Sequence, residues 1–213
     1  MTSDLLPSSW QTLWRTLGAR GDGAGIYDQL LTAYAQPDRH YHSLQHLGEC
    51  LEHFSHVRTL AQHPGEVEAG LWFHDAIYEL QAHDNEAQSA AWASCALLEA
   101  GVPMEVAARV QALVMATQHK ALPQLPDEKL LVDIDLSILG ASDARFAQYE
   151  QQIRLEYAFV PEAVFHTKRR AVLQSFLGRP QIFSTAHFQA LLEERARVNL
   201  SRAIQGTAPS ADS

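Results

Sequence analysis

Residues 66–80 read EVEAGLWFHDAIYEL, and the reading of this stretch decides the fold. Its centre is apolar nearly all round, the pattern of a helix buried on every side rather than one lying on a surface. Inside that apolar run stand His74 and Asp75, side by side. A carboxylate taken out of water needs a partner. If one helix runs from about Glu66 to Leu80, adjacent residues project roughly 100° apart, because the helix turns once every ~3.6 residues. That angle is close to the ~90° between neighbouring ligands of an octahedral ion. The pair fits two neighbouring metal ligands. It fits equally a histidine packed in the core beside an aspartate that caps another helix.

Working outward, the upstream segment HYHSLQHL places His42 and His46 four residues apart. Both can face one side if a helix includes them. His46 adjoins the apolar stripe of Leu44, Leu47, Leu51 and Phe54, and the small residues Gly48 and Cys50 leave room beside it, so it is expected in the interior. His42 is nearer the helix start and solvent. One histidine suits metal binding and the other proton handling; on an exposed face the pair would mean little. His40, His53, His56, His63 and His83 read as surface residues. Downstream, DIDLSILG carries Asp133 and Asp135, which two-residue spacing turns in well-separated directions on a helix. One direct ligand is expected. Asp135 has Leu131, Val132, Ile138 and Leu139 as helical neighbours and points into the core; Asp133, near Lys129 and Ser137, reads as a cap or a supporting acceptor.

The rest of the chain repeats the helical theme, with apolar residues at 3.6-residue spacing and almost no alternating β-branched runs. An all-α bundle follows, occupying one domain over residues 1–205 with a disordered polar tail at 206–213. Helices are expected around Trp10–Leu17 and Ile26–Ala35, forming a lid or scaffold hairpin, then from Ser43 to before the His63-Pro64-Gly65 turn. Further helices cover Asn85–Glu99, Met104–Gln118, Arg145–Tyr157, Pro161–Leu177 and Thr185–Ile204. A formal charge of −9 and a pI near 5.6 argue against a nucleic-acid polymer as partner. No run approaches the ~18 apolar residues of a membrane span, and the start MTSDLLPSSW lacks a signal-like pattern. Cys50 and Cys95, the two cysteines, form no metal-type pair and read as core thiols of a reducing, cytoplasmic protein. Eleven histidines are an unusual share for 213 residues.

The order H…HD…D resembles the HD-domain superfamily of metal-dependent phosphohydrolases. More closely, the chain is similar to a bacterial family of predicted HD-superfamily phosphohydrolases through YHSLQHL, LWFHDAIYE, DNEAQSA, TQHK, DIDLSILG, IRLEYAFV, RRAVLQSFLGRPQIF and ERARVNL. The resemblance implies an HD-type bundle with terminal helical extensions and the ligand set His46, His74, Asp75 and Asp135. The YHSLQH segment is also similar to one in cyclic nucleotide phosphodiesterases, which implies His42 as proton donor and His46 as ligand. Two-metal members often carry histidine where this chain has Asn85, so one ion is implied rather than two. Asn85, Glu86, His119 and Asp133 stand as supporting groups, Glu86 and His119 also as second-metal groups. Nucleotidase relatives carry a glutamate three positions after the HD aspartate, where this chain has Tyr78.

Histidine and carboxylate donors without a thiolate suit Mn²⁺, Fe²⁺, Mg²⁺, Ni²⁺ or Zn²⁺ in a site with open positions. The expected activity is hydrolysis of a small phosphate ester, a nucleotide by preference, through a metal-activated water with Asp75 at the centre. His42 would protonate the leaving oxygen. Among Arg39, Lys120, Arg154, Lys168, Arg169 and Arg170, the favoured phosphate-binding residues are Lys120, Arg154, Arg169 and Arg170. Two other classes fit the residues: a non-catalytic protein that binds metal and nucleotide, and a di-iron oxygenase. Self-association is left open.

Overall fold

The computed structural model describes residues 2–206, and among them are ten α-helices and no strand, an all-α bundle. They are α1 Thr2–Thr16, α2 Ala24–Tyr34, α3 Leu44–Val57, α4 Pro64–Phe73, α5 Asn85–Glu99, α6 Met104–Ala116, α7 Pro126–Asp135, α8 Asp143–Glu156, α9 Glu162–Leu177 and α10 Ala186–Gly206. Short 3₁₀ turns follow α3 and α7. No helix among the described residues is long and apolar enough to cross a membrane. Gly206 ends α10; the rest of the expected tail lies outside the described residues.

The chain divides into two compact units, Met1–Asp135 and Leu136–Ser213. No proline, glycine or polar run marks this division in the sequence, because it falls inside DIDLSILG. In the first unit α4 is the centre and touches α1, α3, α5, α6 and α7. Every residue of α4 from Gly65 to Phe73 is buried, as its all-round apolar pattern requires. Fully burying Leu71, Trp72 and Phe73 contributes roughly 1.5–3 kcal/mol for each large apolar side chain. The two glutamates on α4 are compensated. Glu66 takes a two-pronged contact from Arg109 at 2.6 and 2.7 Å, while Glu68 pairs with Arg58 and accepts from Ser9 at 2.6 Å. Gly70 lets α7 approach: a Cβ there would stand 2.5 Å from Leu131 Cδ1 and 3.3 Å from Leu113 Cβ. The α7 helix, whose last residue is Asp135, is thereby drawn against the centre.

One expectation about α4 needs correction. The helix does not continue to Leu80 but stops at Phe73, and His74, Asp75 and Ala76 form a turn. The reason is visible in the backbone accounting, since every buried main-chain group needs a partner. The Asp75 N–H donates to Tyr34 Oη at 3.2 Å, and Arg39 donates to the Asp75 and Ala76 carbonyls. Farther on, the Ile77 N–H donates to Ser89 Oγ at 2.9 Å and the Glu79 N–H to Asn85 Oδ1 at 3.0 Å. Side chains from α2, α5 and the loop after α2 replace the helical ladder. In this arrangement α1 and α2 act as scaffold: Trp10 and Tyr27 pack with Trp72, Trp14 stacks on Trp10, and Tyr34 reaches the turn.

In the second unit α10 packs on α9 and on the 3₁₀ turn Leu136–Gly140, which α8 also touches. Asn199 donates to the carbonyls of Leu139 and Ala141 at 2.9 and 3.0 Å, holding that turn closed.

Candidate metal centre

Three elements of the first unit meet at one point. Ser43 caps α3 through the Gln45 N–H at 3.4 Å, and one turn later α3 presents His46, which is 2% exposed. The turn after α4 presents His74 and Asp75, and the end of α7 presents Asp135. His46 Nε2 lies 3.0 Å from His74 Nε2, 3.2 Å from Asp135 Oδ1 and 3.6 Å from Asp75 Oδ2. His74 Nε2 lies 3.0 Å from Asp75 Oδ2 and 3.7 Å from Asp135 Oδ1. Donors about 2.1 Å from an octahedral ion stand about 3.0 Å apart. Tetrahedral donors at about 2.0 Å stand about 3.3 Å apart. The observed separations match such a set. His74 Nδ1 is 2.8 Å from the Leu71 carbonyl, which only accepts, so Nδ1 carries hydrogen and Nε2 of the neutral ring is free to ligate.

Cys50 is the residue the sequence reading missed as a site group. It is buried one turn beyond His46, and His46, Cys50, His74 and Asp135 form a cluster that could hold a metal ion, with donor atoms within 4.8 Å of one another. Its four-residue spacing from His46 was the available signal. Sγ lies 3.7 Å from His46 Nδ1 and 3.8 Å from Nε2. Near-equal distances to both ring nitrogens set the sulfur against the face of the imidazole, whereas Asp75 Oδ2 approaches both Nε2 atoms. Asp75 is on this geometry the better fourth donor. Burial, reinforced by Asp135 and Asp75, pushes the Cys50 thiol well above its ordinary pKa. Cys95, also expected in the core, is exposed.

Around this cluster the expected supporting residues separate. His119 Nε2 lies 3.0 Å from Asp135 Oδ2, leaving Oδ1 for the histidines, and it does so from a left-handed backbone at φ 53°. Asn85 binds the Glu79 main chain in both directions, at 3.0 and 2.9 Å, and so fastens the loop after the HD turn. Glu86 is half-buried in the first turn of α5. Asp133 lies inside α7 and is fully buried. His42 precedes α3 rather than sharing its face with His46. Its ring stacks on Tyr78 with centroids 4.0 Å apart and lies 6.1 Å from the His46 ring. His40, His56, His63 and His83 are exposed and His53 half-buried.

The cationic candidates also differ from expectation. Arg39 is buried, its donors directed at Gln36 and at main-chain carbonyls. Lys120, next to His119, is exposed. The others belong to the second unit. Arg154 donates to the Tyr157 carbonyl at 2.7 Å, Arg169 is buried in a pair with Glu150, and Arg170 beside it is half-buried. Arg39, Ala76, Tyr78, Thr32, Gln36 and Trp92 line an open groove of about 460 Å³.

Burial opposes a charge on His74, yet the Asp75 carboxylate beside it holds its pKa up at about 9. Burial also opposes charge on the two aspartates. For Asp75 the histidines His74, His42 and His46 together outweigh it, and for Asp135 His119, His46 and His74 together do, so both lie below the ordinary carboxylate range. A folded-state pKa raised from 6.5 to about 9 means that charged His74 stabilises the fold fully below 6.5 and less with each step toward 9. The lowered aspartates stabilise it above their ordinary value near 3.8 and stop doing so as acid protonates them. Metal-free protein is therefore expected to be most stable between about pH 4 and 6.5, losing up to ~1.4 kcal/mol per unit above that. Because a ligating Nε2 must shed its proton, metal affinity should rise by up to about tenfold per unit over the same upper window. Urea unfolding with a chelator present and calorimetric Mn²⁺ titrations at several pH values measure the two slopes; flat profiles contradict both.

No protein-family model matches the chain, and neither a curated protein nor a solved structure matches it.

Proposed function

We propose that the chain is an HD-type metal-dependent phosphohydrolase acting on a small phosphate ester, a nucleotide by preference. The observation that carries this reading is the convergence of His46, His74, Asp75 and Asp135 with donor separations of 3.0–3.7 Å, the His42 ring lying 6.1 Å from that of His46. These four residues would hold one divalent ion. When bound, such an ion supplies Lewis-acid polarisation of a phosphoryl oxygen and an acidified water. The remaining work falls to the chain. His119 keeps one Asp135 oxygen turned away from the histidines, and its own second-metal role is the lesser one. His42, beside the HD turn and nearer solvent, delivers a proton to the leaving oxygen. Of the candidate cations, Lys120 is exposed and lies in the same unit, and it would meet phosphate. The groove beside Tyr78 has the volume of a small-molecule site, within the ~300–1,000 Å³ typical of such pockets, and offers aromatic faces to an organic group.

The test is direct. Protein purified without chelator is expected to carry about one equivalent of transition metal and, loaded with Mn²⁺, Fe²⁺, Ni²⁺ or Zn²⁺, to release phosphate from nucleotides or general phosphatase substrates. Metal binding without turnover on any ester would leave a metal- and nucleotide-binding protein. Iron with oxygen consumption would make it an oxygenase.

A further inference from the structure

Arg39 is a charged residue almost withdrawn from water, at 7% exposure, and it sits outside every helix. A guanidinium so placed must spend its donors locally, since an unsatisfied buried charge is costly. Its Nε donates to Gln36 Oε1 at 2.9 Å. Nη1 donates to the Asp75 carbonyl and lies 3.5 Å from the His42 carbonyl, and Nη2 donates to the Ala76 carbonyl at 3.0 Å. Its carbon lies 5.4 Å from the Tyr34 ring centre and 5.7 Å from that of Tyr78. Those two tyrosines are themselves tied to the site: Tyr34 Oη accepts from the Asp75 N–H, and the Tyr78 ring stacks on His42.

The planar fork therefore spans two pieces of chain that the sequence separates by more than thirty residues, the segment bearing His42 and the turn bearing His74 and Asp75. From this arrangement we infer that Arg39 is a positioning residue, a clamp that fixes the HD turn against the His42 segment and so sets ligand and proton donor in one geometry. The inference rests on the metal-site reading above. A lysine cannot substitute for it, because one ammonium offers neither the planar fork nor its simultaneous contacts to both peptide carbonyls and Gln36.

The experiment compares the full-length protein with Arg39→Ala and Arg39→Lys, reading Co²⁺ affinity from visible absorption and thermal unfolding in parallel. Partners that orient metal ligands typically contribute about 10–100-fold to affinity. Arg39→Ala is expected to weaken Co²⁺ binding within that range, with partial recovery when free guanidinium is added at a non-denaturing concentration. Arg39→Lys should stay weakened, and it carries the test if the alanine variant does not fold. Ester turnover should fall alongside, most for substrates with poor leaving groups. Wild-type Co²⁺ affinity in a folded Arg39→Lys, or a lowered unfolding temperature with affinity and leaving-group dependence unchanged, overturns the clamp. A wild-type protein that binds Co²⁺ but hydrolyses no ester defeats the hydrolase reading and leaves the affinity comparison decisive. A wild-type protein that binds no Co²⁺ overturns both.

Discussion

Asp135→Ala is expected to abolish metal binding, with an affinity loss beyond the roughly 100-fold that removal of an outer partner causes. The carboxylate has two jobs at once. Oδ1 stands 3.2 Å from His46 Nε2 in the donor cluster, and Oδ2 receives His119 at 3.0 Å. Its removal takes away a negative donor and frees the histidine that orients it. Asp75→Ala should do the same, because it removes the oxygen nearest His74 Nε2, at 3.0 Å, which also stands 3.6 Å from His46 Nε2. Two controls give the result its meaning. Cys50→Ala should keep the metal, since its sulfur lies against the His46 ring face. Asp133→Ala should weaken metal binding less while lowering the unfolding temperature, as a fully buried carboxylate within α7 would. Metal analysis and calorimetric titration read all four. A site emptied by Cys50→Ala and left filled by Asp75→Ala would make the sulfur the fourth donor.

The second large effect concerns His42. Its ring is held by Tyr78 on one side and lies edge-on to Tyr41, and its charge is among those that lower the Asp75 pKa. His42→Asn removes a group able to donate a proton near neutrality while keeping a polar side chain. It is expected to retain metal and to lose about 10²–10⁴ in rate on esters with poor leaving groups. An activated aryl phosphate, which scarcely needs an acid, should lose much less. His46→Asn should lose metal and activity together. Full activity of His42→Asn on every substrate contradicts the assignment, and an emptied site in His42→Asn with a filled one in His46→Asn reverses the two roles.

The contrast between legible and illegible residues has a physical basis. His46, His74 and Asp135 could be found because each interrupts an apolar periodic run, and a polar group inside such a run must be compensated. The all-α class followed from the same periodicity. The end of α4 at Phe73 was not legible, because it depends on Tyr34, Arg39, Ser89 and Asn85 satisfying main-chain groups from elsewhere in the chain. Nothing in LWFHDAIYE itself stops a helix. Arg39 was not singled out, for a related reason: only the fold reveals that its donors face carbonyls. Cys50 was set aside because a lone cysteine is most often core, which describes its burial but not its neighbour. Asp133 is buried more deeply than Asp135, which the two-residue spacing, a statement about direction alone, did not convey.

The backbone at His119 carries a further consequence. A left-handed conformation at φ 53° strains any residue with a Cβ, and glycine would adopt it at no such cost. His119→Gly thus offers the chain a more comfortable loop and deprives Asp135 of its partner. The two effects oppose each other in stability, relief of the backbone against loss of a hydrogen bond to a largely buried carboxylate. The histidine marks a point where backbone strain is kept and the candidate metal cluster gains an oriented carboxylate in return.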